Sequence, residues 1–416
     1  MKRIGMLAAA AALMMVSCAK VNTVGNVATD TTLEALDFGV YVPQTRAGEP
    51  GEMDNTKLRS TGFGVIAFEE AGGYSGTIKP NFMYNQEVSY NSTTAKWEYA
   101  PIKYWPNQLT DNGVTDGQSA TSQNAHMVSF FAYAPYVDNA GGTSGITAMS
   151  AKNNTGDPTL SYAVSADLHD HVDLVWGTSN GAVWKNVAGG FNTVEDGLPY
   201  INMQKPLLGT NVNFRFYHAL AQLNLSAVSS YNIVGAGGDA KDGVKITISD
   251  VVLTVPGMYD TGVLNLHNTV AKKPEWDFTA AKDSTFVFDI YDDRLHPDVR
   301  DSYTPGDTST QPVGVIATEG PVLADGEYFT LLPREVSTTV TVKVTYYVTT
   351  DDSNLDDGYS RVENIISKQI TFPNGFRHGT KNNIRMILGL SEVGLSGEVV
   401  DWETNVPIEA YMPKNQ

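Results

Sequence analysis

Apolar side chains in this 416-residue chain alternate with polar ones at a period of two far more often than they recur at helical spacing. The intervals are filled with Gly, Asn, Asp, Thr and Ser. The pattern predicts an all-β fold. Strands rich in Val, Ile, Phe, Thr and Tyr are expected at Gly62–Phe68, Val128–Tyr136, Val212–Ala227, Val244–Val255, Thr338–Val348 and Asn383–Leu390. Asn139–Gly145, Asn153–Pro158 and Gly235–Gly243 read as loops by composition. The length gives two domains of ordinary size room for a full core each. The Gly235–Gly243 loop is the expected boundary between two tandem β-sandwiches, residues 47–235 and 236–416.

One segment lies ahead of this layout. Leu36, Phe38, Val40 and Val42 alternate with Asp37, Gly39 and Tyr41, the pattern of a half-buried strand. It runs into Pro43-Gln44-Thr45-Arg46-Ala47-Gly48-Glu49-Pro50-Gly51, an exposed tether whose lone arginine suits a trypsin-like protease cutting between Arg46 and Ala47. On these residues alone a first strand followed by an ordinary loop is the plainer reading. At the other terminus, Glu398-Val399-Val400-Asp401-Trp402 and Val406-Pro407-Ile408-Glu409-Ala410-Tyr411-Met412 are two short extended runs. Ile408, Ala410 and Met412 share one face, and Pro407 removes one ladder donor, which suits an edge or a hinge. The two runs either donate themselves to another molecule or complete the second sandwich.

The N-terminus adds an address. Met1-Lys2-Arg3 is a basic start and Ile4 to Val16 an apolar stretch too short to span a bilayer comfortably, as in a secretory signal. Cys18 directly follows Ser17 and reads as a lipobox, so residues 1–17 are the expected signal peptide and Cys18 the lipidated residue of the exported chain. Cys18 is the only cysteine, so no disulfide framework is expected. A formal net charge of −18 disfavours nucleic acid and anionic lipid surfaces as partners.

Candidate chemistry is sparse. His169, His171 and Asp173 share a strand face at a spacing that suits metal ligands, but a fourth ligand is not evident and no metal is assigned. Asp352 to Gly358 with Glu363 resembles a calcium loop except that Asp357 stands where a glycine is required, so a solvated hairpin loop is the better reading. His218, inside an apolar strand, reads as a buried structural histidine. Tyr84, Tyr90, Trp97, Tyr104 and Trp105 are more often core than a sugar-stacking platform. There is no phosphate loop, nucleophile elbow or paired zinc-ligand motif, so no catalytic residue and no cofactor are assigned.

Several stretches, taken in order, carry more. Trp97 to Pro106, Ser129 to Tyr136, Val212 to Leu223, Tyr328 to Pro333, Gly375 to Thr380, Asn383 to Leu390 and Val399 to Trp402 together resemble the fimbrillin-like (Mfa-like) pilins of the Bacteroidales. The Asp173-Leu174 pair resembles another of that family's recurring features. The resemblance implies two transthyretin-like β-sandwiches, export as a lipoprotein, and trimming after an arginine that removes the first strand. Arg46 stands in that place, with residues 18–46 as the propeptide and Leu36, Phe38, Val40 and Val42 as the removable strand. It implies a non-enzymatic fimbrial subunit, stalk more than tip or anchor, that polymerises by donor-strand exchange through Val399, Val400, Trp402, Ile408, Ala410 and Met412 and supports cell adhesion. Its partners would be other copies of itself and related pilins, an Arg-specific protease, the outer membrane through the precursor's lipid, and a host glycan or protein. The alternatives are an uncleaved anchor or tip subunit, a monomeric surface glycan-binding lipoprotein, and a secreted hydrolase using a carboxylate cluster.

Overall fold

A computed structural model describes residues 35–41, 55–106, 126–138, 141–167, 170–181, 183–185, 191–203, 211–229, 244–290, 313–315, 320–323, 328–389, 393–401 and 408–410. The fold is all-β, as the alternation predicts. Strands are numbered in chain order. The largest sheet runs, in space, β1 (Asp37–Tyr41), β12 (Asn211–His218), β8 (Val175–Ser179), β5 (His126–Ala134), β2 (Phe63–Ala71), β3 (Met83–Asn91), β4 (Lys96–Glu98), and β11 (Tyr200–Met203) also pairs with β5. A second sheet runs β16 (Glu275–Asp277), β15 (Thr261–Asn265), β7 (Thr159–Ala163), β6 (Gly145–Met149).

Two further sheets are built mainly from the second half of the chain. One is β19 (Gly320–Pro321), β13 (Ala221–Ser229), β23 (Thr380–Leu388), β24 (Val393–Asp401), β25 (Ile408–Ala410), with β20 (Phe329–Leu331) also on β13. The other is β17 (Asp283–Asp289), β14 (Val244–Tyr259), β21 (Thr338–Asp351), β22 (Tyr359–Phe372), with β18 (Val313–Val315) on β14. β9 (Val183–Lys185) and β10 (Phe191–Thr193) form a separate pair. Among the described residues the one α-helix is α1 (Asn55–Thr61), whose Leu58 is fully buried.

The central strands of the largest sheet are apolar on both faces, because both faces are covered. Phe63, Val65, Phe130, Ala132, Phe214 and Phe216 face one core. Their alternate neighbours Ile66, Phe68, Phe131, Tyr133, Trp176 and Tyr217 face another, which includes Leu160 and Tyr162 of β7 and Leu264 of β15. A third core joins Leu223, Leu225, Ile384 and Met386 to Leu253, Val342, Val344 and Ile370, the inner faces of the two later sheets.

The run expected as one strand, Val212–Ala227, is two. β12 ends at His218, paired with Val175, and β13 begins at Ala221, paired with Leu331, so the chain leaves one sheet and enters another at the buried Ala219-Leu220. Apolar alternation continues through this crossing, so the period alone does not reveal it. β13 pairs in parallel with β23 along its whole length after Ala221. Conversely β15, later in the chain, pairs with β7. Residues 230–243, which include the expected boundary loop, lie outside the described residues.

A polar pin ties β7 to β20. The Tyr162 hydroxyl donates to the Val172 carbonyl at 2.6 Å and lies 3.0 Å from Thr330 Oγ1. The Thr330 N–H donates to His171 Nδ1 at 2.9 Å, which requires a neutral ring. Burial pushes the His171 ring down to about 3. An unfolded histidine titrates near about 6.5, so the unfolded chain takes up a proton that the folded chain refuses. Stability is therefore full above that pH and is lost as the pH falls from about 6.5 towards about 3. Urea denaturation at pH 8 and pH 5 should show the natural chain losing about 1–2 kcal/mol more than His171→Gln between the two conditions. Equal losses would show that the ring does not titrate in this way.

Candidate functional site

β1 closes the largest sheet. On one side it pairs in parallel with β12, Asp37 opposite Asn211 through Tyr41 opposite Arg215. On the other side, the Leu36 N–H donates to the Lys103 carbonyl at 2.9 Å and Ala35 bridges Tyr104, just beyond β4 at the far end of the same sheet. The strand thus lies in a groove between two backbones, each of which would present unpaired groups without it.

The alternation read in the sequence sets which side chains enter the groove. Leu36 and Phe38 are buried, Val40 packs against the same core, and Asp37 is exposed. Phe38 lies in a box of four rings, with centroids 6.1 Å from Phe63, 5.2 Å from Tyr99, 6.3 Å from Phe130 and 6.0 Å from Phe214. Edge-on contacts to the first three and a stacked contact to Phe214 are favourable ring arrangements. Gly39 lies opposite Asn213, whose side chain covers the place a Cβ would occupy.

Tyr99 adds a polar contact. Its hydroxyl donates to the Leu36 carbonyl at 2.7 Å and accepts the Lys103 N–H at 3.2 Å. Burial holds this phenol above its usual range, so it stays protonated and keeps its role as donor. Nothing in the sequence marks Tyr99 for this role; it stands in a landmark run, but its partner is 63 residues away.

Cys18, Val42, Arg46, Ala47, Trp402 and Met412 lie outside the described residues, as does His169. Val399 and Val400 lie in β24, opposite Asn382 and Lys381 of β23. Ile408 and Ala410 lie in β25, opposite Val399 and Gly397 of β24. In this arrangement the C-terminal strands pair within their own chain.

The candidate metal residues diverge. His171 is committed to Thr330, Asp170 is exposed, and Asp173 Oδ2 lies 2.9 Å from His218 Nδ1 with both side chains buried. His218 is thus a buried histidine beside a buried carboxylate. Among the described residues no group of three or more metal-ligating side chains is placed to hold an ion. In the Asp352 loop, Asp352 caps the Asn354 N–H at 3.0 Å, while Glu363 accepts the Tyr347 hydroxyl at 2.8 Å on the strands behind. Trp97 packs on Phe63 and Tyr90, and Trp105 on Phe130, so these rings do not form an open stacking platform.

A family profile described as fimbrillin-like matches residues 117–402. The chain belongs to the fimbrillin-like family. A fimbrial protein from Bacteroides vulgatus ATCC 8482 shares 21% identity over 89% of this chain and 100% of its own, with a TM-score of 0.60, and so has a similar fold. A candidate cell-adhesion protein from Bacteroides uniformis ATCC 8492 shares 13% identity over 88% of this chain and 99% of its own, with a TM-score of 0.40. No curated protein matches the chain. Membership in the family supports a pilus-like adhesion subunit at the cell surface that assembles with other pilin subunits.

Emptying the ring box is expected to be costly. In the uncleaved chain Phe38→Ala should lower stability in urea by about 3–5 kcal/mol, the range for truncating a buried aromatic. Asp37→Ala, on the exposed side of the same strand, should stay within about 0.5 kcal/mol. A small effect at Phe38 would mean that β1 does not occupy this groove in solution.

Proposed function

We propose that this fimbrillin-like chain is the precursor of a structural pilus subunit of the stalk. It is exported and lipid-anchored through Cys18, matured by cleavage between Arg46 and Ala47, and polymerised when a C-terminal strand of a second copy takes the place of β1. The observation that carries this reading is the seat of β1, a strand enclosed by rings and by two backbone edges yet joined to the body by a tether with an arginine in it. If β1 left, exposed ladder groups and an apolar groove would be filled best by another extended segment.

The geometry of the C-terminus supports its role as donor. Among the described residues β25 is held by three residue pairs at the edge of its sheet. β24, paired along nine residues with β23, is held more firmly, so β25 is the more readily released strand. The division into two sandwiches, residues 47–235 and 236–416, belongs to the same reading, and the parallel pairing of β13 with β23 supports counting β13 with the second.

Two experiments test the proposal. Residues 19–416 treated with an Arg-specific protease should be cut once, after Arg46, and then grow into polymers, and Arg46→Ala should abolish both. A chain that stays uncut, or is cut and remains monomeric, would overturn the maturation scheme. Truncation after Asp401, which removes β25, should leave the cut chain folded and block polymer growth. Polymers of normal length from the truncated chain would overturn the C-terminal donor.

A further inference from the structure

The seat of β1 holds its strand by two contacts of different kind, and they sit at fixed positions along it. The Tyr99 hydroxyl takes one backbone carbonyl, that of Leu36, and no side chain of the occupant takes part in that contact. The box of Phe63, Tyr99, Phe130 and Phe214 takes one side chain, two residues further on. A strand shifted by one residue would turn its apolar face outward, and one shifted by two would put the wrong side chain in the box.

We infer that this seat reads its occupant at two points, Tyr99 fixing the register through the backbone and the ring box selecting an aromatic side chain. The occupant from a second copy is the segment Ile408-Glu409-Ala410-Tyr411-Met412, which repeats the aliphatic, acidic and then aliphatic positions of Leu36-Asp37-Phe38-Gly39-Val40. In that alignment Ile408 takes the place of Leu36 and Met412 that of Val40, while Ala410 stands where Phe38 fills the box. The native segment thus fits the seat better than its replacement. Cleavage would leave the segment held only by these non-covalent contacts, and its departure would then set the rate of exchange. The identity of the second occupant rests on the strand-exchange reading; the two-point seat does not.

The test uses the whole chain, residues 19–416, labelled at its N-terminus and nicked at Arg46 or, if that bond resists, at a specific protease site placed in the tether. Release of the labelled segment is followed by fluorescence anisotropy. Tyr99→Phe, which removes only the hydroxyl, should speed release by about three- to tenfold, the equivalent of one hydrogen bond. Phe38→Leu should speed it more. A synthetic 406–414 peptide should displace the segment, and the same peptide carrying Ala410→Phe should do so at a concentration at least tenfold lower. Tyr99→Phe in the seat should weaken both peptides by the same factor, because it acts on backbone.

Release unaffected by Tyr99→Phe would overturn the register contact. An Ala410→Phe peptide no better than the natural one would overturn the aromatic box as selector for the tail. If neither peptide displaces the segment while its release still responds to Tyr99 and Phe38, the seat stands and the C-terminal donor falls.

Discussion

The closure of the largest sheet by β1 is the constraint around which the first half of the molecule is arranged. A strand that pairs with β12 on one side and with the backbone beyond β4 on the other satisfies two edges at once. Its Phe38 completes a cluster of rings that would otherwise enclose a void. This strand is also the part of the body nearest the arginine-bearing tether in sequence, so a single strand carries both structural closure and the proposed control of assembly.

The remaining architecture follows from covering that sheet. Its central strands are buried on both faces, which demands apolar residues at consecutive positions and explains runs such as Phe130-Phe131-Ala132-Tyr133. The second face is covered partly by β15, while β13, which precedes β15 in the chain, joins the later sheets. The halves are therefore interleaved by strand pairing. Buried polar groups lie at these junctions in pairs and networks. Asp173 meets His218, Tyr162 meets Thr330, and the Trp276 indole donates to the Ala219 carbonyl at 3.1 Å.

A second polar knot shows the same economy in the loops. Asp157 accepts the Tyr74 hydroxyl at 2.8 Å and lies 3.0 Å from His267 Nδ1, with Asn265 donating to its other oxygen at 3.3 Å. These hydrogen bonds offset the burial that would raise the carboxyl, and the net effect holds Asp157 below its usual range. Loops from three separate strand ends are thereby fixed to one another without a disulfide.

The amino-acid sequence by itself determined the fold class, the burial of Leu36 and Phe38, and the structural character of His218, because each depends on local period or on the chemistry of one residue in its own strand. The ordered landmark runs were enough to point to the fimbrillin-like family. Only the tertiary structure decided where Val212–Ala227 divides, that β1 runs parallel to β12, that Tyr99 holds the Leu36 carbonyl, and that His171 and Asp173 serve different partners rather than one ion. The physical reason is common to all of them. Alternation records which way a side chain points, but the identity of the backbone or ring that meets it is set by pairings between residues tens to hundreds of positions apart, and those leave no periodic mark in the chain.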